Sequence, residues 1–468
     1  MWPGRRDGAG EGPVGAGRSL RVATTAQLAP SVRAAGFEAF VLPELASLSF
    51  HRSLQARLSD GAVYRPFFEA NGIELVLDFN TEALTLTAAA SDRGADAGAG
   101  SDARPGATEV CLTTAALGIP YVACYLDPIT STMGQVAWGD HWGLLESNAW
   151  IKWIWESAHA EELQRMGVTN VLTLPMAVVD DDFDTSPPPD PDPGPVIAFM
   201  GHPATTWFQS TQPVLPRQLF AGLVGAAVHA DMPDVAFHKI YFDLYGLGDA
   251  PMAGDAPQVR AAKARRYFDD KFVYNAYLAV RQRDRWARFL QHKLSDRFEL
   301  IGDHWHDVYG LRHTPRVWDM RKLHERMRRV PICLNLMKGC LETGLNVRHF
   351  EITAHGGFML TYPTDELASC FVIGKECDVF HDESELLEKT AYYLDHAAER
   401  REIAAAGQRR TLSEHLYSHR IARIVEVLRG ARWLPAAREA SDGAGRDVQV
   451  VAGADGACAP PGPHGVSA

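Results

Sequence analysis

The stretch GLNVRHFEITAHGGFMLTYP, residues 344–363, combines residue types that can bind a phosphate and a sugar hydroxyl. NVRHFEITAH has helix-forming composition, with Asn346 placed to cap the helix. The first turn of a helix carries partial positive charge, so an anionic phosphate is favoured there. Glu351 follows one turn later, where a carboxylate can accept hydrogen bonds from a ribose diol. Gly356 and Gly357 would let the next strand begin tightly against the ligand.

Each of these features also has an ordinary structural explanation. A Gly-Gly pair before a strand is usually a tight turn, and a single helix carboxylate usually faces solvent. Taken in order, and with the organisation of the chain around them, they favour a ligand site.

The segment before residue 180 alternates strands and helices. SAHAEELQRMG predicts a helix with Ser157 as its N-cap and Gly167 just after its end. Short apolar runs without alternation are typical of parallel strands that are covered on both faces. These runs lie at 20–24, 38–43, 74–80 and 120–127, and a further strand is predicted from residue 168.

The same pattern restarts after residue 195. Asp382 and Glu385 form the D-x-x-E signature of a helix start, Gly407 is predicted to end the next helix, and LSEHLYSHRIARIVEVL is predicted to form the last helix. Five strands are predicted at 195–201, 297–303, 330–336, 356–363 and 376–380. The chain is therefore predicted to be an α/β protein with two Rossmann-like parallel-sheet domains facing a cleft. Ligands bind outside the carboxyl ends of such strands, so the cleft is the expected site.

The predicted boundaries follow composition. DDDFDTSPPPDPDPGP is proline-rich and acidic, which predicts a stiff, hydrated linker at 181–195 between domains at 19–180 and 196–430. Residues 203–296 are too long for one crossover and are predicted to contain a helical insertion. Low-complexity composition predicts disorder at 1–18 and 438–468 and a flexible loop at 91–107.

The composition excludes several classes of protein. The net charge of −12 argues against a general nucleic-acid binder. Seven cysteines without metal-ligand spacing predict reduced thiols in a cytoplasmic protein, and no apolar run is long enough for a transmembrane segment. The N-terminus lacks the apolar core of a secretory signal, and there is no P-loop, GxGxxG, HExxH or GxSxG motif.

The segment from RHFEITAHGG to HLYSHR resembles the C-terminal half of glycosyltransferases related to spore maturation protein CgeB, which belong to the group-1, GT-B type. The matching residues are Arg348, Phe350, Glu351, Gly356, Gly357, Gly374, Glu376, Gly407, His415, Tyr417 and Arg420. The resemblance extends over about residues 297–430 and more loosely over LGIPYVACYLDP.

The resemblance implies a GT-B fold, a nucleotide-sugar donor bound by the second domain, and no metal or other cofactor. It implies that Glu351 holds the donor ribose, as the second glutamate of the E-x7-E motif of retaining enzymes. The first glutamate of that motif would stand eight residues earlier, where this chain has Thr343; Glu342 is nine residues earlier. Retention or inversion of the anomeric configuration therefore stays open.

Further site residues are expected around the diphosphate. Gly201 and His202 end the first strand of the second domain, where their backbone N–H groups would face the diphosphate, and Gly302 has a similar position. Lys338 or Arg348 would balance the charge of the leaving diphosphate.

In the first domain, Asp127 and His141 are candidates for a general base that deprotonates the acceptor hydroxyl, although Asp127 could equally cap a turn. Tryptophans at 138, 142, 150, 153 and 155 could stack on a sugar acceptor or form core.

The sequence thus predicts a glycosyltransferase that acts on an unknown acceptor. Two alternatives remain: a nucleotide-sugar epimerase with the same donor site, and a glycosyltransferase-like protein that binds its ligand without turnover.

Overall fold

The computed structural model describes most of both predicted domains. The described residues are 19–43, 54–79, 84–88, 110–125, 147, 149–191, 194–203, 254–256, 258–260, 262–264, 267, 283–337 and 343–434. Within them, two separate parallel sheets are each flanked by helices. The segments predicted to be disordered at 1–18 and 438–468, and the loop at 91–107, lie outside the described residues.

The first sheet has six parallel strands in the order β2-β1-β3-β6-β7-β8. The strands are β1 (Arg21–Thr24), β2 (Glu38–Val41), β3 (Leu75–Phe79), β6 (Tyr121–Cys124), β7 (Trp150–Ile154) and β8 (Val171–Thr173), and β4 (Leu86–Ala88) pairs antiparallel with β5 (Val110–Leu112). The helices of this unit are α1 (Ala29–Ala34), α2 (Leu54–Asn71), α3 (Thr113–Ala116) and α4 (Ser157–Arg165).

The second sheet has five parallel strands in the order β10-β9-β11-β12-β13. They are β9 (Ile197–Met200), β10 (Phe298–Ile301), β11 (Ile332–Asn335), β12 (Met359–Thr361) and β13 (Asp378–Val379). The helices that follow β9 are α5 (Arg285–Leu294), α6 (Trp305–Tyr309), α7 (Met320–Arg329), α8 (Val347–Ala354), α9 (Leu367–Cys370), α10 (Glu383–Asp395), α11 (Ala397–Glu414) and α12 (Tyr417–Gly430).

The continuous apolar runs form the central strands β3, β6, β9 and β11, as predicted; β7, WIKWI, was not predicted and has the buried Lys152 at its centre. All residues of β3, β6, β7, β9 and β11 are buried, because helices cover both faces of each sheet. Trp150, Trp153 and Trp155 are buried core residues, so the structural reading of these three tryptophans is confirmed. The tryptophans at 138 and 142 lie outside the described residues.

The last helix crosses back to the first unit. Val178 and Leu416 form a bridge where the segment before the linker and the returning chain run side by side. Beyond it, Ile421, Val425 and Leu428 of α12 pack in one core cluster with residues of β1, α1 and β3. Two parallel α/β units joined by this returning helix confirm the predicted GT-B fold. By packing, α12 belongs to the first unit, which differs from the predicted boundary at residue 430.

Two local predictions were wrong. Gly407 does not end a helix but lies inside α11. A Cβ at this position would overlap the carbonyl oxygen of Glu376, which accounts for a glycine there. The N-cap of α4 is Glu156 rather than Ser157. The predicted Asp382 cap is confirmed, since its side chain accepts a hydrogen bond from the N–H of Glu385 at 2.9 Å.

The proline-rich linker is docked on the second unit. Asp184 forms an ion pair with Arg328 of α7 at 3.1 Å, and its carbonyl accepts a hydrogen bond from Gln408 at 3.0 Å. The ring of Phe183 lies 5.2 Å from that of His355. From the predicted insertion, Ala264 and Tyr267 pack into the core of the first unit, where Tyr267 donates to the buried Glu162 at 2.5 Å. Most of the insertion lies outside the described residues.

Candidate functional site

The strand order of the second sheet reverses between β9 and β11, which leaves a crevice at their carboxyl ends. Arg283, buried just before α5, spans this crevice. Its guanidinium donates to the carbonyl of His202 after β9 at 3.3 Å and to the carbonyl of Leu336 after β11 at 3.2 Å. The crevice therefore carries a fixed positive charge. Arg283 was not predicted from the sequence as a site residue, although it lies in a basic segment, RQRDRWARFLQHK.

Gly201 and Gly302 hold the exits of β9 and β10 together. The N–H of Gly201 donates to Ile301 at 2.8 Å, and the N–H of Gly302 donates to Thr314 at 2.9 Å. A Cβ on Gly302, whose φ is +156°, would overlap the carbonyl of Gly201. The expectation that these N–H groups face a diphosphate is therefore wrong for this structure: both are used within the protein.

Asn346 is the N-cap residue of α8 as predicted, but its side chain does not cap the helix. Its Oδ1 instead lies 2.9 Å from Nδ1 of the buried His349, and it accepts from Asn335, the last residue of β11, at 3.3 Å. Nε2 of His349 lies 3.2 Å from Oγ1 of Thr361 on β12. Burial lowers the pKa of His349 to about 3, so the ring is neutral. This network fixes the entry of α8 against the carboxyl ends of β11 and β12.

Arg348 and Glu351 form an ion pair on α8, with Nη1 and Oε2 2.8 Å apart. Only 24% and 17% of the two side chains is exposed, and neither of these atoms has a well-aligned hydrogen bond among the described residues. Burial lowers the pKa of His324 on α7; Glu351 and Asp181 of the linker oppose this effect, and Arg348 adds to it. The pair therefore lies near His324, and two of its buried polar atoms lack a well-aligned hydrogen-bond partner among the described residues.

Gly356 and Gly357 terminate α8. Their N–H groups donate to the carbonyls of Thr353 and Ile352 at 2.9 Å each, and Gly356 has a φ of +73°. A Cβ on Gly357 would lie 2.9 Å from the carbonyl of Met327. The pair therefore allows close packing within the protein, which differs from the expectation of close approach to a ligand.

The two units meet at a polar junction that the sequence reasoning missed. The side chain of Glu156, buried after β7, accepts from the N–H of Thr343 at 2.7 Å. Glu366 of the second unit accepts from the N–H and the hydroxyl of Ser157 at 2.8 and 2.5 Å. It also accepts from the Thr343 hydroxyl at 2.9 Å. Glu366 therefore takes the place of a cap at the start of α4, across the boundary between units.

Three predicted site residues, Asp127, His141 and Lys338, lie outside the described residues. The other predicted residues fall into two groups: Gly201, His202 and Gly302 at the crevice, and Asn346, Arg348, Glu351, Gly356 and Gly357 on or beside α8. The end of β11 connects them, since Asn335 bonds Asn346 and the adjacent Leu336 bonds Arg283. Across the described part of the chain, no cluster of three or more metal-ligating side chains is found, and no helix is long and apolar enough to cross a membrane.

The family comparison concerns the second unit. Residues 281–426 match the family model described as glycosyl transferase-like. This segment begins near Arg283, ends within α12, and contains α8 and the carboxyl ends of β10 to β13. No curated protein matches the chain.

Several solved structures are similar to the chain at low identity. Sucrose-phosphate synthase from Thermosynechococcus elongatus is 11% identical with a TM-score of 0.44, covering 88% of this chain and 100% of that chain. A glycosyltransferase from Rickettsia africae is 9% identical with a TM-score of 0.41, covering 88% and 98%. Anabaena HepE, in complex with UDP and glucose, is 9% identical with a TM-score of 0.41, covering 88% and 99%.

Proposed function

We propose that this protein is a glycosyltransferase that moves a sugar from a nucleotide-sugar donor to an acceptor hydroxyl, by a metal-independent mechanism. The observation that carries the proposal is the end of β11, which joins two sets of polar groups. On one side Leu336 contacts Arg283 in the switch-point crevice, and on the other Asn335 fixes the entry of α8. The first set suits a diphosphate and the second suits a nucleoside.

In this proposal the donor lies against the second unit. Glu351 accepts hydrogen bonds from the ribose hydroxyls, and Arg348 or Lys338 balances the negative charge that develops on the departing diphosphate. The incompletely satisfied Arg348–Glu351 pair supports this role, because buried polar atoms normally find a partner. The match of residues 281–426 supports the same reaction class.

The acceptor is proposed to enter from the first unit. Asp127 and His141 are the candidates for the general base, since a base must lie within hydrogen-bond reach of the acceptor hydroxyl. Membership of the CgeB-like group, hexosyl transfer and a cytoplasmic location are part of the proposal, on the sequence arguments given above. The chemical class of the acceptor stays open.

One observation favours the rival function of a binding protein without turnover. Thr343 stands where the family pattern has its first glutamate, and both its N–H and its hydroxyl are used at the junction between units. Threonine has no carboxylate to offer the sugar, and its N–H and hydroxyl are already used by Glu156 and Glu366. An epimerase would share the donor site but would need acid and base groups on both faces of the sugar.

Thermal-shift measurements against UDP, GDP, ADP, TDP and CDP test the donor site. A nucleotide that binds the folded state raises the melting temperature by mass action. We expect one nucleotide to stabilise the wild type and the exposed control Glu402→Ala, but not Glu351→Ala. If no nucleotide does so at millimolar concentration, the donor site is refuted. The nucleotide sugar of the stabilising base is then incubated with the protein: slow release of the nucleoside diphosphate supports an enzyme, whereas binding without any release supports the rival.

A further inference from the structure

His202 stands immediately after β9, beside the switch-point crevice, and its ring has one defined partner. Nδ1 accepts a hydrogen bond from the backbone N–H of Asp303, which follows β10, at 2.9 Å. A ring nitrogen that accepts from an N–H carries no proton. In the neutral ring the proton is therefore on Nε2, and the fixed contact with Asp303 selects this tautomer.

The orientation of the ring follows from the strand order. β9 has β10 on one side and β11 on the other. Because Nδ1 accepts from the exit of β10, Nε2 lies on the other side of the ring, away from that contact. Among the described residues nothing hydrogen-bonds to Nε2, and the half-buried ring leaves it open to a ligand. The carbonyl of His202 is held by Arg283, so the backbone is fixed as well.

The surroundings keep the ring neutral. Burial lowers the pKa of His202, and the neighbouring Arg316 and His304 lower it further, against the opposing effect of Asp303. A neutral imidazole with its proton on Nε2 is a hydrogen-bond donor and cannot act as a base at that atom.

We propose that His202 binds the donor by donating its Nε2–H to a phosphate oxygen of the diphosphate, beside the positive charge of Arg283. The inference rests on the proposed function and specifies how the diphosphate is recognised. The backbone N–H groups of Gly201 and Gly302 do not serve here, because both are used within the protein. A side-chain donor in the same crevice takes their place.

The tautomer is tested directly by long-range ¹H–¹⁵N spectra of the histidine rings at pH 7.5, with His202 assigned from the signals missing in His202→Ala. We expect a protonated Nε2 and an unprotonated Nδ1. The opposite tautomer, or a doubly protonated ring, would overturn the inference whatever the protein's reaction is.

The ligand contact is tested by titration with inorganic pyrophosphate and with the stabilising nucleoside diphosphate. We expect His202→Ala to weaken both about tenfold, as for one lost hydrogen bond to a charged group. His202→Gln should restore most of the affinity, because its amide has an oxygen for the Asp303 N–H and a nitrogen to donate. His292→Gln, an exposed histidine on α5, is the matched control.

The outcomes separate the two proposals. If the wild type binds neither probe, the donor site itself fails and this inference fails with it. If the wild type binds both and His202→Ala binds equally well, only the role of His202 is refuted. Equal weakening by His202→Gln and His202→Ala would mean that the ring acts through packing rather than through its donor, and this too would overturn the inference.

Discussion

Nη1 of Arg348 lies 2.8 Å from Oε2 of Glu351, so the residue predicted to hold the donor ribose and a residue predicted to balance the diphosphate form an ion pair with each other. Their positions three residues apart on α8 make this contact local to the helix. A donor that takes a hydrogen bond from one of them must compete with the other. The predicted roles of Arg348 and Glu351 are therefore coupled.

Replacing Glu351 by glutamine separates binding from stability. Glutamine keeps the size of the side chain and an oxygen that can accept from Arg348, so the variant should lose only about 1 kcal/mol of unfolding free energy. Loss of the charged acceptor should weaken nucleoside diphosphate or nucleotide-sugar binding by about tenfold. Urea unfolding and calorimetric titration measure the two quantities. A large loss of stability with unchanged affinity would mean that Glu351 is structural.

Glu366→Gln tests the junction between the units. The carboxylate accepts both hydrogen bonds from Ser157 and lies at the positive end of α4, so the variant should lose about 1–2 kcal/mol of unfolding free energy. Glu402→Gln, on the exposed face of α11, should lose almost nothing. Equal stabilities of the two variants in urea would show that this contact does not hold the units together.

Gly407→Ala should destabilise the protein, although alanine normally stabilises a helix interior by up to about 1 kcal/mol. The added Cβ would overlap the carbonyl of Glu376, and overpacking of this kind costs about 1–3 kcal/mol. Gly430→Ala, at the end of α12 with open space around it, should be neutral or slightly stabilising. Melting temperatures of the two variants check the sign; a rise for Gly407→Ala would contradict the packing argument.

Acid should destabilise the fold through buried histidines. Burial lowers the pKa of His349 and His355 to about 3 and that of His415 to about 4, from an ordinary value of 6.5. Below pH 6.5 the unfolded chain therefore binds protons that the folded protein does not, so stability is complete above that pH and falls towards pH 4. Each such histidine contributes a slope of up to about 1.4 kcal/mol per pH unit.

The variant His349→Gln removes the contribution of one of these histidines to the pH dependence of stability. Its unfolding free energy, measured in urea between pH 5 and 7, should depend less steeply on pH than that of the wild type. The exposed variant His292→Gln is the control. An unchanged slope for His349→Gln would mean that His349 is not neutral in the folded protein.

Local patterns were enough to predict most elements. Continuous apolar runs predicted the central strands other than β7, and the D-x-x-E signature predicted the start of α10, because both depend on residues close in sequence. The prediction that Gly407 ends a helix was wrong. A glycine is needed there because the carbonyl of Glu376, from a loop distant in sequence, lies against the helix. Arg283 could not be singled out among neighbouring arginines, because its contacts come from the ends of two strands far away in the chain.

The sequence by itself determined the two α/β units, the linker between them and the stretch around Glu351, because apolar periodicity and capping residues act over a few positions. Only the tertiary structure decided which groups are left for a ligand. Gly201 and Gly302 are well placed by sequence, yet their N–H groups are satisfied by Ile301 and Thr314. Whether a backbone N–H is free to bind a ligand depends on which acceptor lies opposite it. That acceptor is determined only when the strands are aligned in the sheet.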